Sequence, residues 1–134
     1  MLFINLLSKN KKNKVTSKEK RLIVYNKCGG RCCYCGKDIE FKAMQIDHMT
    51  LQYKKADPLY FGVTIDIDAI ENLWPTCRRC NYYKRANDLE YFRKSMLTLH
   101  ERIEKHYINK LAVDFGMIKI KPFDGIFYFE KQKQ

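Results

Sequence analysis

Acidic side chains are scarce in this 134-residue chain: 15 Asp and Glu stand against 26 Lys and Arg, a formal net charge of +11. A field of that sign disfavours cationic partners and favours polyanions, of which nucleic acid is the commonest. Long apolar runs are also missing. No stretch approaches the roughly 20 apolar residues that a membrane span requires, so no membrane partner is expected. The apolar start Met1-Leu2-Phe3-Ile4 is broken by Asn5 and followed, rather than preceded, by basic residues. That is the wrong order for a secretory signal, and a cytoplasmic, reducing location is expected. No internal repeat and no linker-like composition interrupts residues 16–112, so 1–134 reads as a single domain. Its 46% hydrophobic content and its nine Tyr and eight Phe are those of a chain that folds around a core.

In chain order, residues 1–15 form a basic tail carrying Lys9, Lys11, Lys12 and Lys14. It is either solvated or laid along phosphates. Thr16-Ser17-Lys18-Glu19 is a capping-box pattern, which predicts a helix of about three turns stopping at Gly29-Gly30. Ile39, Phe41, Met44, Ile46 and Met49 suggest a knuckle and one strand, and Asn72-Leu73-Trp74 a returning strand ended by Pro75. Between them, 51–70 is a long connection with an apolar patch at Leu59–Val63, and a connection of that length inside a domain is more often functional than idle. From Asp88 as N-cap, Leu89, Phe92, Met96, Leu99, Ile103 and Tyr107 recur at helical spacing and predict one core-facing helix over 88–112. His100 and His106, six apart, do not share a helix face and read as surface histidines. Residues 117–130 alternate apolar and basic, turn at Pro122-Phe123-Asp124-Gly125, and predict a β-hairpin.

Six cysteines in a chain expected in a reducing compartment read as metal ligands rather than disulfides. Cys32/Cys35 and Cys77/Cys80 form two Cys-x-x-Cys pairs, and four thiolates complete the closed tetrahedron of a structural Zn²⁺ site. The separation of the pairs exceeds that of short zinc ribbons, so something sizeable is inserted between them. That insertion carries Asp47-His48. Cys28 and Cys33 remain as structural thiols, with Cys28 an alternative to Cys32.

Gly30-Arg31-Cys32-x-Tyr34-Cys35-Gly36, Asp47-His48, Asn72-Leu73 and Cys77-Arg78-x-Cys80-Asn81-x-x-Lys84 together resemble the zinc-containing, four-cysteine branch of the HNH endonucleases, ββα-metal nucleases common in bacteriophages, mobile elements and restriction systems. The resemblance covers residues 27–90. It implies an α+β fold with a small ββα-metal (HNH, or His-Me finger) core, a zinc clamp, flanking helices and, here, the C-terminal hairpin. It also implies metal-dependent hydrolysis of phosphodiester bonds in DNA, double-stranded DNA being the expected partner. His48 would be the general base. Asp47 and Asn81 would hold a catalytic Mg²⁺ or Mn²⁺, whose hard character suits oxygen ligands. Asn72 would brace the loop carrying His48 through backbone hydrogen bonds. Neighbours on a strand point to opposite faces, so Asp47 and His48 can serve one phosphate only if the strand ends or bends there, which the small Thr50 permits. Arg78, Arg79, Lys84 and Arg85 are the candidate nucleic-acid contacts; Tyr82 and Tyr83 either stack or pack. The Gly-rich acidic loop that many members carry after the His is replaced by Leu51-Gln52-Tyr53-Lys54-Lys55. Asp66 and Asp68 stay open as additional ligands or solvated loop acids.

Three other zinc readings compete. A non-catalytic zinc module that binds nucleic acid keeps the thiolates but has no need of Asp47, His48, Asn72 and Asn81 together. A zinc deaminase needs His-x-Glu and Pro-Cys-x-x-Cys, whereas Thr50 stands two after His48 and Thr76 separates Pro75 from Cys77. A RING-like adaptor needs more ligands than these two pairs provide.

Overall fold

A computed structural model of the chain describes residues 16–49, 66 and 68–132. The basic tail, Thr50 and the Leu59–Val63 patch lie outside the described residues. Helix α1 (Ser17–Asn26) starts as its capping box dictates. The Thr16 N–H donates to Glu19 Oε2 at 3.0 Å and the Glu19 N–H to Thr16 Oγ1 at 3.1 Å. Gly30, at φ +79°, turns the chain out of it, where an added Cβ would lie 2.8 Å from the Tyr25 hydroxyl. Arg21 then donates to the carbonyls of Phe41 and Met44 at 2.8 and 2.6 Å, holding the turn that leads into the first strand.

Strands β1 (Gln45–His48) and β2 (Leu73–Thr76) pair antiparallel, with Asp47 opposite Trp74 and His48 opposite Leu73. A 3₁₀ turn at Ile70–Asn72 delivers the chain into β2. Lys27 fastens that entry: its ammonium donates to the carbonyls of Ile70 and Leu73 and lies over the Trp74 ring at 4.6 Å. Its burial lowers its pKa. Helix α2 (Arg78–Lys84) follows directly and packs on β1. The described residues therefore combine helices with a small two-stranded antiparallel sheet, an α+β arrangement.

Two expectations are corrected. Residues 88–112 are not one helix but parts of three: α3 (Leu89–Leu97), α4 (Leu99–Glu104) and α5 (Tyr107–Asp114). Thr98, at ψ 2°, and His106, extended at ψ 131°, interrupt the backbone between them. Only the first part of the apolar stripe reaches the core. Phe92 is buried and Leu89 and Met96 pack against it, while Tyr107 is 80% exposed. Nor is 117–130 a hairpin. Among the described residues 117–127 contains no strand, and a short helix α6 occupies Tyr128–Lys131.

The reason lies in what the tail buries. Phe127 and Phe129 enter an aromatic core with Tyr34, Phe92 and Trp74; Phe127 stacks on Phe92 at 5.3 Å and meets Tyr34 edge-on at 5.1 Å. The N–H groups of Tyr128 and Phe129 donate to the carbonyls of Tyr34 and Cys33 at 3.1 and 2.9 Å. The tail thus spends its hydrogen bonds and rings on the cysteine knuckle rather than on itself. No helix among the described residues is long and apolar enough to cross a membrane.

Candidate active site and metal centre

Cys32 and Cys35 sit on the knuckle after α1, and Cys77 and Cys80 bracket the start of α2. Three backbone bonds bring these pieces together. Cys32 N–H donates to Lys37 O and Gly36 N–H to Cys32 O, both at 2.9 Å, closing the knuckle. Cys33 N–H donates to Pro75 O, also at 2.9 Å, docking it on β2. The four sulfurs lie within 4.8 Å of one another, with Cys35 and Cys77 at 4.0 Å. A tetrahedron with Zn–S bonds near 2.3 Å puts sulfurs about 3.8 Å apart, so the donor set and its spacing fit Zn²⁺.

Thiols this close share protons. Hydrogen bonds from Cys32 and Cys80 hold Cys35 down at about 3, and the same cluster contacts push Cys80 up. Cys28 and Cys33 lie outside the group. Burial raises Cys28 to about 11 and Cys33 further still, which keeps both as neutral thiols.

Beyond the knuckle, β1 presents alternate residues to α2. Gln45 and Asp47, two apart, face the helix; Asn81 and Lys84, three apart, face the strand. Asn81 Nδ2 donates to Gln45 Oε1 at 3.1 Å. Lys84 lies with its ammonium 3.2 and 3.0 Å from the two Asp47 oxygens, and the Tyr34 hydroxyl donates to Asp47 Oδ2. Both partners of the ion pair are buried, the Lys84 side chain completely. Burial, and then the Asp47 charge, raises the pKa of Tyr34 and keeps its hydroxyl a donor.

Lys84 is therefore not a phosphate contact. Its charge is turned inward, whereas Arg78, Arg79 and Arg85 are exposed. One carboxylate and one amide oxygen are donors that suit a hard divalent ion. As the side chains stand, however, Lys84 and Tyr34 already occupy both Asp47 oxygens, so the geometry does not offer an open Mg²⁺ or Mn²⁺ site.

His48 is the last residue of β1, and the chain bends at Met49. The Met49 N–H donates to the Asn72 carbonyl at 3.0 Å, tying the exit of His48 to the 3₁₀ turn. His48 Nε2 lies 3.0 Å from Asp68 Oδ1, and Lys20 Nζ holds the Asp68 carbonyl at 2.5 Å. The Asp68 N–H in turn donates to Asp66 Oδ1 at 3.0 Å, an Asx turn that shapes this segment. Asp68, open from the sequence as an additional ligand or a solvated acid, is thus placed on the imidazole, and Tyr34 on Asp47. The carboxylate twenty residues after His48 had no spacing signal. Tyr34 stood inside the Cys-x-x-Cys motif without a role.

No protein-family model matches the chain, and no curated protein matches it. Among solved structures, the chain is similar to the Type II-C Cas9 enzyme from Actinomyces naeslundii, at 24% sequence identity and a TM-score of 0.46. The match covers 70% of this chain and 10% of that one, so the chain spans about a tenth of the length of its structural neighbour.

Proposed function

We propose that the chain is a zinc-stabilised HNH endonuclease that hydrolyses phosphodiester bonds in DNA, with His48 as general base on a ββα core. The observation that carries the reading is the His48–Asp68 pair at the end of β1, on a sheet docked by backbone bonds to a four-thiolate cluster. With Asp68 accepting from Nε2–H, a neutral imidazole carries its lone pair on Nδ1. That nitrogen takes the proton from the attacking water as the oxygen–phosphorus bond forms. The 3′ oxygen leaves as the opposite bond breaks. Asp68 acts through His48, fixing the tautomer and orientation of its ring. Zn²⁺ at Cys32, Cys35, Cys77 and Cys80 supplies no chemistry in this reading, because four thiolates close its shell. It fixes the backbone from which β2 and α2 depart.

A Mg²⁺ or Mn²⁺ ion at Asp47 and Asn81 requires Lys84 to release the carboxylate; when bound, it would supply counter-charge to the phosphate and the leaving oxygen. Asn72 contributes as a brace, through the Met49–Asn72 backbone bond.

The satisfied Asp47–Lys84 pair favours a second reading, a zinc module that binds nucleic acid without cutting it. Incubation with supercoiled plasmid across Mg²⁺, Mn²⁺ and chelator separates the two. The nuclease converts plasmid to open-circular or linear forms in one of the two metals. A binding module retards the plasmid and leaves its topology unchanged.

A further inference from the structure

The zinc knuckle and the outward side of α2 form a second feature that the chemistry above leaves unused. Lys37, two residues past Cys35, faces Arg78, Arg79 and Tyr82 across a shallow cleft of about 430 Å³. The walls of this cleft are pinned by the thiolate cluster: Lys37 follows one Cys-x-x-Cys and the two arginines lie inside the other. Tyr82 is 71% exposed, and the Arg85 guanidinium lies over its ring, 5.5 Å from the centroid. Arg85 reaches that position from φ 55°, ψ −139°. This is sparsely populated backbone for a residue with a Cβ, and such outliers cluster at ligand sites.

Phosphate binding alone accounts for three cations on a surface. It does not account for an aromatic ring held out among them. In duplex DNA the bases stack on one another and offer no face to a protein ring, whereas an unpaired base has both faces to give. We propose that this cleft binds a single-stranded nucleotide, its phosphates at Lys37, Arg78 and Arg79 and its base stacked on Tyr82. The inference deepens the nuclease reading by naming a substrate class, DNA with an unpaired base. It rests on that reading for the bond cut, not for the binding.

The test is fluorescence anisotropy on zinc-loaded His48→Ala protein in the absence of Mg²⁺ and Mn²⁺, so that nothing is cleaved. Three probes of equal length are compared: an oligothymidylate, a duplex, and an abasic strand that keeps the phosphates but lacks the bases. Tyr82→Ala should weaken oligothymidylate binding about tenfold and leave the other two probes unchanged, while Tyr82→Phe retains wild-type affinity. Lys37→Ala should weaken oligothymidylate and abasic strand alike, lowering the salt slope by about 0.7.

Equal loss on all three probes, or no loss on oligothymidylate, overturns the stacking role. Lys37→Glu that releases zinc while leaving oligothymidylate affinity intact overturns the site, because the cations would then serve only to offset thiolate charge. A tenfold Tyr82 effect in a protein that never nicks plasmid leaves the cleft standing and removes the nuclease reading instead.

Discussion

Replacing Lys84 with Met keeps the length of the side chain and removes the ammonium that lies 3.0 and 3.2 Å from the Asp47 oxygens. The Lys84 side chain has no exposed surface and Asp47 has little, so water cannot take the place of the ammonium. Among the described residues, only the Tyr34 hydroxyl is left to hold a buried carboxylate. Breaking a buried pair by deleting one partner costs about 3–5 kcal/mol, because the other charge is stranded. For a chain of this size that lowers Tm by about 10–20 °C. The double variant Lys84→Met, Asp47→Leu strands no charge and should recover part of the loss; the remainder is the Tyr34 hydroxyl, which among the described residues keeps only the weak acceptor Met49 Sδ at 3.7 Å. The assay is thermal unfolding of the zinc-loaded protein followed by circular dichroism, with and without millimolar Mn²⁺.

Mn²⁺ adds a second arm. An ion that binds the native state at Asp47 stabilises by mass action, so it should raise the Tm of Lys84→Met more than that of the wild type. A single-variant loss under about 1 kcal/mol, the range of an exposed pair, would refute the reasoning, since it would mean that the ammonium and carboxylate are hydrated. A double variant no more stable than the single one would refute it as well.

Further outcomes follow from the same geometry. Cys77→Ser should lose zinc and cooperative folding together, as read by metal content and a melting curve; a soluble, cooperatively melting, zinc-free variant would contradict the clamp. Asp68→Ala, which removes the acceptor of the His48 Nε2–H, should slow plasmid nicking while leaving Tm within a degree or two, because the Asp68 side chain is half exposed; an unchanged rate would remove Asp68 as the orienting group. Phe127→Ala should cost about 3–5 kcal/mol by opening the aromatic core, and a loss of under about 1 kcal/mol in denaturant unfolding (the midpoint shift multiplied by m) would show that the tail is not docked on the knuckle.

The four-thiolate cluster was legible because Cys-x-x-Cys encodes its own geometry: two sulfurs from one turn reach one ion wherever the pair is placed. Helix α1 was legible for a similar reason, since its capping box closes over three residues. What sequence could not show was contact between distant elements. Lys84 reads as one more solvated cation on a basic helix until Asp47 is seen to face it. The C-terminal alternation of apolar and basic residues has the period of a strand, but Phe127 and Phe129 gain more by entering the core with Tyr34 and Trp74 than a hairpin would. The apolar period of residues 88–112 runs straight through Thr98 and His106, and no Pro or Gly marks the breaks there. Asp47 and His48 were separable in advance, since strand alternation sends neighbours to opposite faces; that Asp68 would meet the imidazole was not.

The most direct test of the account is the rate of supercoiled-plasmid nicking by wild-type and His48→Ala proteins at matched zinc content and matched Tm, in whichever of Mg²⁺ or Mn²⁺ supports cleavage. Removal of a general base should lower the rate by about 10²–10⁴-fold with zinc and fold unchanged. Nicking by His48→Ala at the wild-type rate would contradict the assignment of His48 as the base.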